Sequence, residues 1–251
     1  MARCMQWGLI TMRARLLATA AFAALCLAPI GHHSVALAKA EAAAPSYLDP
    51  ALFDPAQTLP PPPAHGSAEE AREIDALHRL IAGASKERLA QAKADAEDET
   101  PALFNATLGF DLKSKPATWA LLTLVHAEAS KVSKASKTFF HRMRPYSADP
   151  SLPFCERAAD PAKPEFTSYP SGHATLGYSV GWVLARLMPS RADAILARAH
   201  DYALSREYCG AHFASDTEAS HVIGTLAAAT LWNDPRLAAR IASARAELAH
   251  P

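Results

Sequence analysis

Apolar positions along this chain recur mostly at three- and four-residue intervals, the period of an α-helix with one face on a core. Ile74, Leu77 and Ile81, with Leu80 beside them, form one such series. Ser67-Ala68-Glu69-Glu70 before it has capping-box spacing, with Ser at the cap and Glu three positions on. A long helix is therefore predicted from about residue 68 toward 95, broken by Glu97-Asp98-Glu99-Thr100-Pro101. Pro116 fits the first turn of another helix, which carries Trp119, Leu122 and Val125. It continues through Lys131, Lys134 and Lys137 until Pro145 disfavours helix at Arg144. Residues 146–170 hold five more prolines and read as a structured loop. Further helices are predicted at 173–187, 191–205 and 216–232, and a last one begins at Pro235, with Leu237, Ile241 and Leu248 facing inward. The expected fold is all-α, a single-domain helical bundle.

The two N-terminal segments break this pattern. Arg13 and Arg15 precede an apolar run from Leu16 to Ile30, followed by Ala36-Leu37-Ala38 before Lys39. Charge, a short apolar stretch and a small-x-small site, in that order, read as a secretory signal peptide over 1–38. The run is short for a membrane span, although an uncleaved anchor is the alternative. Residues 39–66 form a proline-rich arm containing Pro60-Pro61-Pro62-Pro63, which favours an extended conformation over the surface or as a tether. The helical domain then covers 67–251.

Composition narrows the classes. Half of the 251 residues are apolar, ample for a buried core, and 20% are charged. Lys plus Arg equals Asp plus Glu, 25 against 25, so the chain carries no general footprint for nucleic acid. Any anion affinity must come from a few placed cations. Removing 1–38 takes Arg3, Arg13, Arg15, Cys4 and Cys26, leaving 22 basic against 25 acidic residues and the pair Cys155 and Cys209. In an exported protein such a pair invites a disulfide, the alternative being two buried thiols. No second apolar stretch has spanning length, so no membrane association is expected after cleavage. The sequence has no Gly-rich phosphate loop, no zinc-like Cys cluster and no Gly-x-Ser-x-Gly elbow.

Three clusters can carry chemistry. Lys137 and Arg144 lie seven positions apart, about two helical turns, and can share one face, with Arg144 at the helix exit. Pro170-Ser171-Gly172-His173 opens a helix: Ser is a natural N-cap, Gly lets a ligand approach the backbone, and the exposed N–H groups favour an anion beside His173. In the third, Ser205-Arg206 precedes His212, and Asp216 follows at i+4, where a carboxylate can fix the tautomer of the imidazole. Arg206 adds a planar donor fork suited to phosphate. Together they offer three cations, a helix N-terminus and two histidines, the set that a tetrahedral oxyanion and a nucleophile require.

The order and spacing, Lys-x6-Arg-Pro, Pro-Ser-Gly-His and Ser-Arg-x5-His-x3-Asp, resemble the signature of the phosphatidic-acid-phosphatase type 2 / vanadium haloperoxidase superfamily, with all eleven fixed positions filled. Within it, residues 168–173 and Cys209-Gly210-Ala211-His212 are similar to the bacterial class A nonspecific acid phosphatases. The resemblance is tight over 137–216 and loose over 45–248. It implies an all-α, metal-independent and cofactor-free phosphomonoesterase of broad specificity, exported to the periplasm. It assigns His212 as nucleophile, Asp216 as its partner, His173 as general acid, and Lys137, Arg144, Ser171, Gly172 and Arg206 as phosphate ligands. Small phosphomonoesters would be substrates, inorganic phosphate or vanadate would inhibit, and phosphate transfer to alcohols could accompany hydrolysis; a homo-oligomer stays open.

The same pocket resembles the vanadate site of the haloperoxidases, so a vanadate-dependent haloperoxidase is the alternative. A membrane lipid phosphatase is disfavoured by the missing spans, and a dead phosphate-binding protein by the filled chemical positions. His126, His141, His200 and His221 are expected in the core or at the surface rather than as ligands, Lys131 and Lys134 on a solvated face, and Trp119, Trp182 and Trp232 in the core.

Overall fold

The computed structural model describes residues 46–156 and 162–249. The expected leader over 1–38 lies outside the described residues. Within them the chain is all helical with no strand. Seven longer helices set the frame: α1 (Ala68–Ala82), α2 (Lys86–Glu97), α3 (Pro116–Phe140), α4 (Gly172–Leu187), α5 (Ala192–Tyr208), α6 (Ala214–Trp232) and α7 (Ala238–Leu248).

Helix α4 is central and packs on α3, α5 and α6. Its glycines permit the approach to α5: a Cβ on Gly177 would meet the Tyr202 ring at 2.9 Å, and one on Gly181 would meet the Ala199 Cβ at 2.9 Å. The core joins Leu176, Val180 and Leu184 of α4 to Leu122 and Val125 of α3, Ile195 of α5, and Ile223 of α6. Ile241 and Leu248 of α7 close it, as the spacing predicts. Trp119, Trp182 and Trp232 are partly buried and pack against this core.

The expected single helix over 68–95 is two. Gly83 caps α1, and the Ser85 hydroxyl accepts from the Arg88 amide to start α2. A new N-cap two residues beyond a Gly C-cap ends one helix and begins the next. Helix α2 is then clamped to α5 by a buried fork. Arg198 Nη2 and Nη1 reach the two Asp95 carboxylate oxygens at 2.6 and 3.1 Å, and the Ser205 hydroxyl donates to Asp95 at 2.5 Å.

Helix α3 ends at Phe140 rather than near Arg144, because His141 takes a left-handed backbone (φ 48°) and stacks on Phe166. The helix expected from 191 to about 205 runs to Tyr208. Short helical turns at Pro50–Phe53, Pro101–Phe104 and Leu112–Ser114 have no periodic signal in the sequence, and each is capped by an Asp or Thr side chain. In the described part of the arm, Leu48, Phe53 and Leu59 join the core, the buried Glu128 accepts from the amides of Tyr47 and Leu48, and the Tyr169 hydroxyl donates to the Pro60 carbonyl at 2.8 Å.

Among the described residues, no helix is long and apolar enough to cross a membrane.

Candidate active site

Four separate segments converge here: the end of α3, the Arg144 strip, the start of α4, and the turn between α5 and α6. That turn is fixed first. Gly210 has φ +68°, and a Cβ there would sit 2.1 Å from the Pro153 carbonyl oxygen. Cys155 and Cys209 form a disulfide, and the Cys155 amide donates to the Cys209 carbonyl at 3.0 Å. The residue types on this turn are therefore dictated by its close seat on 152–155.

His212 lies just before α6 and Asp216 in its first turn, so the pair meets across the helix start rather than along one helical face. The i+4 spacing is right, but the Asp216 carboxylate turns back to cap the helix by accepting the Phe213 amide at 2.9 Å. The same oxygen, Oδ2, lies 3.3 Å from His212 Nδ1 and accepts the Ser168 hydroxyl at 2.5 Å. Oδ1 accepts Arg142 Nη1 at 2.6 Å.

On the other side of the ring, Arg144 Nη1 stands 2.6 Å from His212 Nε2 and donates to the Ala211 carbonyl at 3.0 Å. A guanidinium can only donate, so Nε2 is the acceptor and the proton sits on Nδ1, facing Asp216. The imidazole is 1% exposed. Burial pushes its pKa well below the ordinary value, and Arg144, Lys137 and Arg206 add to the effect. His212 is a neutral ring whose one Nε2 lone pair points to Arg144 and accepts from it, so an incoming phosphorus has to take the place of that donor.

Lys137 and Arg144 do not share a helix face, because α3 ends between them. They come together instead at Thr167: Lys137 Nζ donates to its carbonyl at 2.5 Å and Arg144 Nε to its hydroxyl at 3.3 Å. Arg144 is extended (φ −71°, ψ 150°), as the following proline requires. Burial lowers Lys137 to about 7, with Arg144 the next cause.

Ser171 is the N-cap of α4; its hydroxyl accepts the Ala174 amide at 3.3 Å, and its carbonyl accepts the Ser220 hydroxyl at 2.9 Å. Gly172 begins the first turn, whose N–H groups have no acceptor within the helix. A Cβ on Gly172 would meet nothing within 4 Å, so its backbone faces open space.

His173 Nε2 lies 3.1 Å from the Ala96 carbonyl and 3.1 Å from a Glu99 carboxylate oxygen, both acceptors, so Nε2 carries the proton. Burial lowers this histidine to about 3, and Arg206 is the next cause. Lys137, Gly172 and His173 line one cavity of about 240 Å³.

Arg206 is 2% exposed. Its Nη2 pairs with Glu156, while Nε and Nη1 have no partner among the described residues. Two buried guanidinium donors are thus available to an anion.

Ser205, inside the third sequence block, serves Asp95 instead of this site. Arg142 and Glu73 carry no spacing signal, yet both support it. Arg142 is 4% exposed, stacks 3.9 Å over the Phe213 ring, and reaches Glu73 at 2.6 Å on its other nitrogen. Glu73 also accepts the Ser215 amide at 3.0 Å. No cluster of His, Cys, Asp or Glu among the described residues could hold a metal ion.

Residues 116–239 match the PAP2 superfamily. An acid phosphatase of Zymomonas mobilis subsp. mobilis is 30% identical over 201 residues, covering 78% of this chain and 75% of that protein. A non-specific acid phosphatase of Providencia stuartii is 29% identical over 203 residues, covering 78% and 82%. One from Salmonella typhimurium is 28% identical over 196 residues, covering 76% and 78%. With a motif set that converges in space and relatives matched over most of their length, the chain belongs to the PAP2 superfamily, as an enzyme of the acid phosphatase kind.

Proposed function

We propose that the chain is an exported, periplasmic phosphomonoesterase of the class A type, working without a metal through a phosphohistidine on His212. One observation carries this reading: His212 Nε2 faces Arg144 while Nδ1 faces Asp216. That arrangement leaves the nucleophilic lone pair on the cation side, where a phosphoryl group would sit.

His212 Nε2 attacks phosphorus and the bond to the ester oxygen breaks, its electron pair leaving with the alcohol oxygen. His173 supplies the proton to that oxygen. Asp216 stabilises the imidazolium character on Nδ1. Water then attacks phosphorus, gives its proton to His173, and the P–N bond breaks to release phosphate. An alcohol in place of water would give phosphate transfer.

Lys137, Arg144 and Arg206, with the Ser171 hydroxyl and the Gly172 amide, would hold the non-bridging oxygens. Losing one such donor costs about 10²–10³ in rate at comparable sites.

The test is hydrolysis of a chromogenic phosphomonoester in the presence of a chelator, with and without vanadate, together with acid quench of the wild type and of His212→Ala. Activity that survives chelation, inhibition by vanadate and an acid-labile phosphoenzyme absent from His212→Ala are expected. A phosphoenzyme in that variant would refute the role of His212. Halide oxidation by peroxide on adding vanadate would favour the haloperoxidase alternative.

A further inference from the structure

Helix α3 has two faces of different character. Leu121, Leu122, Val125, Ala129 and Val132 are buried in the core. His126, Ser130, Ser133, Lys134 and Lys137 follow one another at offsets of 4, 7, 8 and 11, so they lie along another single face. That polar stripe runs about 16 Å, from the catalytic lysine back toward the start of the helix. Its residues line the same cavity as Gly172 and His173, and Glu99 and Leu176 complete the lining among the described residues.

The stripe contains an anomaly. Ser133 is 1% exposed, and its hydroxyl has no hydrogen-bond partner among the described residues. A serine within a helix can satisfy itself on the carbonyl four residues back, as Ser136 does on Val132 at 3.0 Å. Ser133 does not, although buried polar groups are nearly always paired. Its hydroxyl is therefore an unpaired buried donor on a residue that lines the cavity.

Resting on the phosphatase reading above, we propose that this stripe is the leaving-group subsite and takes a neutral, hydroxyl-rich alcohol, the sugar or polyol half of a phosphomonoester. The phosphoryl group at Lys137 and His212 directs the alcohol along α3 toward Ser133, Ser130 and His126. Each offers a hydroxyl or an imidazole, the partners that alcohol groups need. Lys134 and Glu99 stand at the cavity with opposite charges, so neither an anionic nor a cationic leaving group is favoured. Among the described residues no Phe, Tyr or Trp lines the space, so a planar aromatic group meets only the imidazoles of His126 and His173. The volume of about 240 Å³ is below the roughly 300–1,000 Å³ of sites for drug-sized ligands and suits a compact alcohol.

The experiment compares kcat/KM for glucose 6-phosphate and phenyl phosphate in the full chain and in Ser133→Ala and Lys134→Met. Removing one donor to the alcohol, the Ser133 hydroxyl or the Lys134 ammonium, should lower kcat/KM for the sugar ester by about 3- to 10-fold in each variant, with phenyl phosphate changed by less than about two-fold. Lys134 is exposed, so its variant does not depend on core packing. A wild type active on both esters, with their ratio unchanged in both variants, overturns the subsite and leaves the phosphatase reading standing. A wild type that hydrolyses neither ester overturns the phosphatase reading itself, and the subsite with it.

Discussion

Arg142 Nη1 lies 2.6 Å from Asp216 Oδ1, and both side chains are buried. The guanidinium spans the two carboxylates of Asp216 and Glu73, so it neutralises the charge that orients His212. Burial pushes the Asp216 carboxyl up, and Arg142 with the Ser168 hydroxyl pulls it back.

In Arg142→Met the carboxylate loses its counter-charge while staying buried. Removing one partner of a buried pair costs about 3–5 kcal/mol, and a displaced imidazole costs about 10²-fold in kcat. Asp216 then takes a proton more readily, so the acid limb of kcat/KM should move to higher pH. Arg142→Lys keeps the charge without the fork and should recover part of the loss. A variant whose kcat and acid limb match the wild type would show that Arg142 only packs against Phe213. Chemical denaturation and a pH–rate profile on the same preparations separate folding from orientation.

Lys137 gives the alkaline side of the profile. Its folded value, about 7, is depressed from the ordinary lysine range chiefly by burial. For a cation the sign is direct: the charge is present below that value and lost as pH rises through it. Phosphate binding should therefore weaken above about pH 7, seen as a falling kcat/KM limb in the free enzyme. For folding, the unfolded chain holds the lysine proton between about 7 and the ordinary value while the folded chain has released it. This residue's contribution to stability thus rises with pH across that window. Lys137→Arg cannot lose its charge, so its alkaline limb should move upward even if its rate is lower. An unmoved limb would assign the titration to another group.

Much of this site was legible from the chain. The three blocks could be found because their chemistry depends on residue types at fixed offsets around helix starts, which sequence records directly. Ser171, Gly172 and His173 open α4 where the pattern puts them. What the sequence hides is whatever depends on chain direction. Lys137 and Arg144 are aligned by spacing on a helix that has already ended at Phe140, and they meet through Thr167, 30 positions from Lys137. Arg142 and Glu73 are 69 positions apart, and nothing local marks either as a partner of Asp216. Lys134 is exposed, as expected, and it and His126 also line the cavity, a placement set by α4 packing alongside α3.

His173 should show its role through the leaving group. Its depressed value of about 3 in the free site comes from burial and then from Arg206, Arg144 and Lys137 as repelling cations. A phosphate dianion between these groups would offset that repulsion and raise the proton affinity of the histidine with substrate bound. In His173→Ala, alkyl esters should lose about 10²–10⁴ in kcat, the span of general acid catalysis, while a nitrophenyl ester with a good leaving group loses far less. Equal losses across leaving groups would mean that His173 binds or orients without donating a proton.

The Cys155–Cys209 disulfide closes a loop across a sequence separation of 54 and sits beside the Glu156–Arg206 pair. Chain-entropy reasoning gives such a crosslink about 2–4 kcal/mol of stability. Its effect on the site comes from neighbours: Glu156 follows Cys155, and the turn bearing His212 follows Cys209. Cys155→Ala/Cys209→Ala should therefore lower the urea midpoint and, well below that midpoint, raise KM by several-fold, about what one loosened charge-assisted hydrogen bond costs. The two readouts discriminate between roles. A lower midpoint with unchanged KM would make the disulfide a staple for the fold alone. A raised KM that Glu156→Gln reproduces, with the disulfide intact, would trace the effect to the carboxylate that holds Arg206 in place.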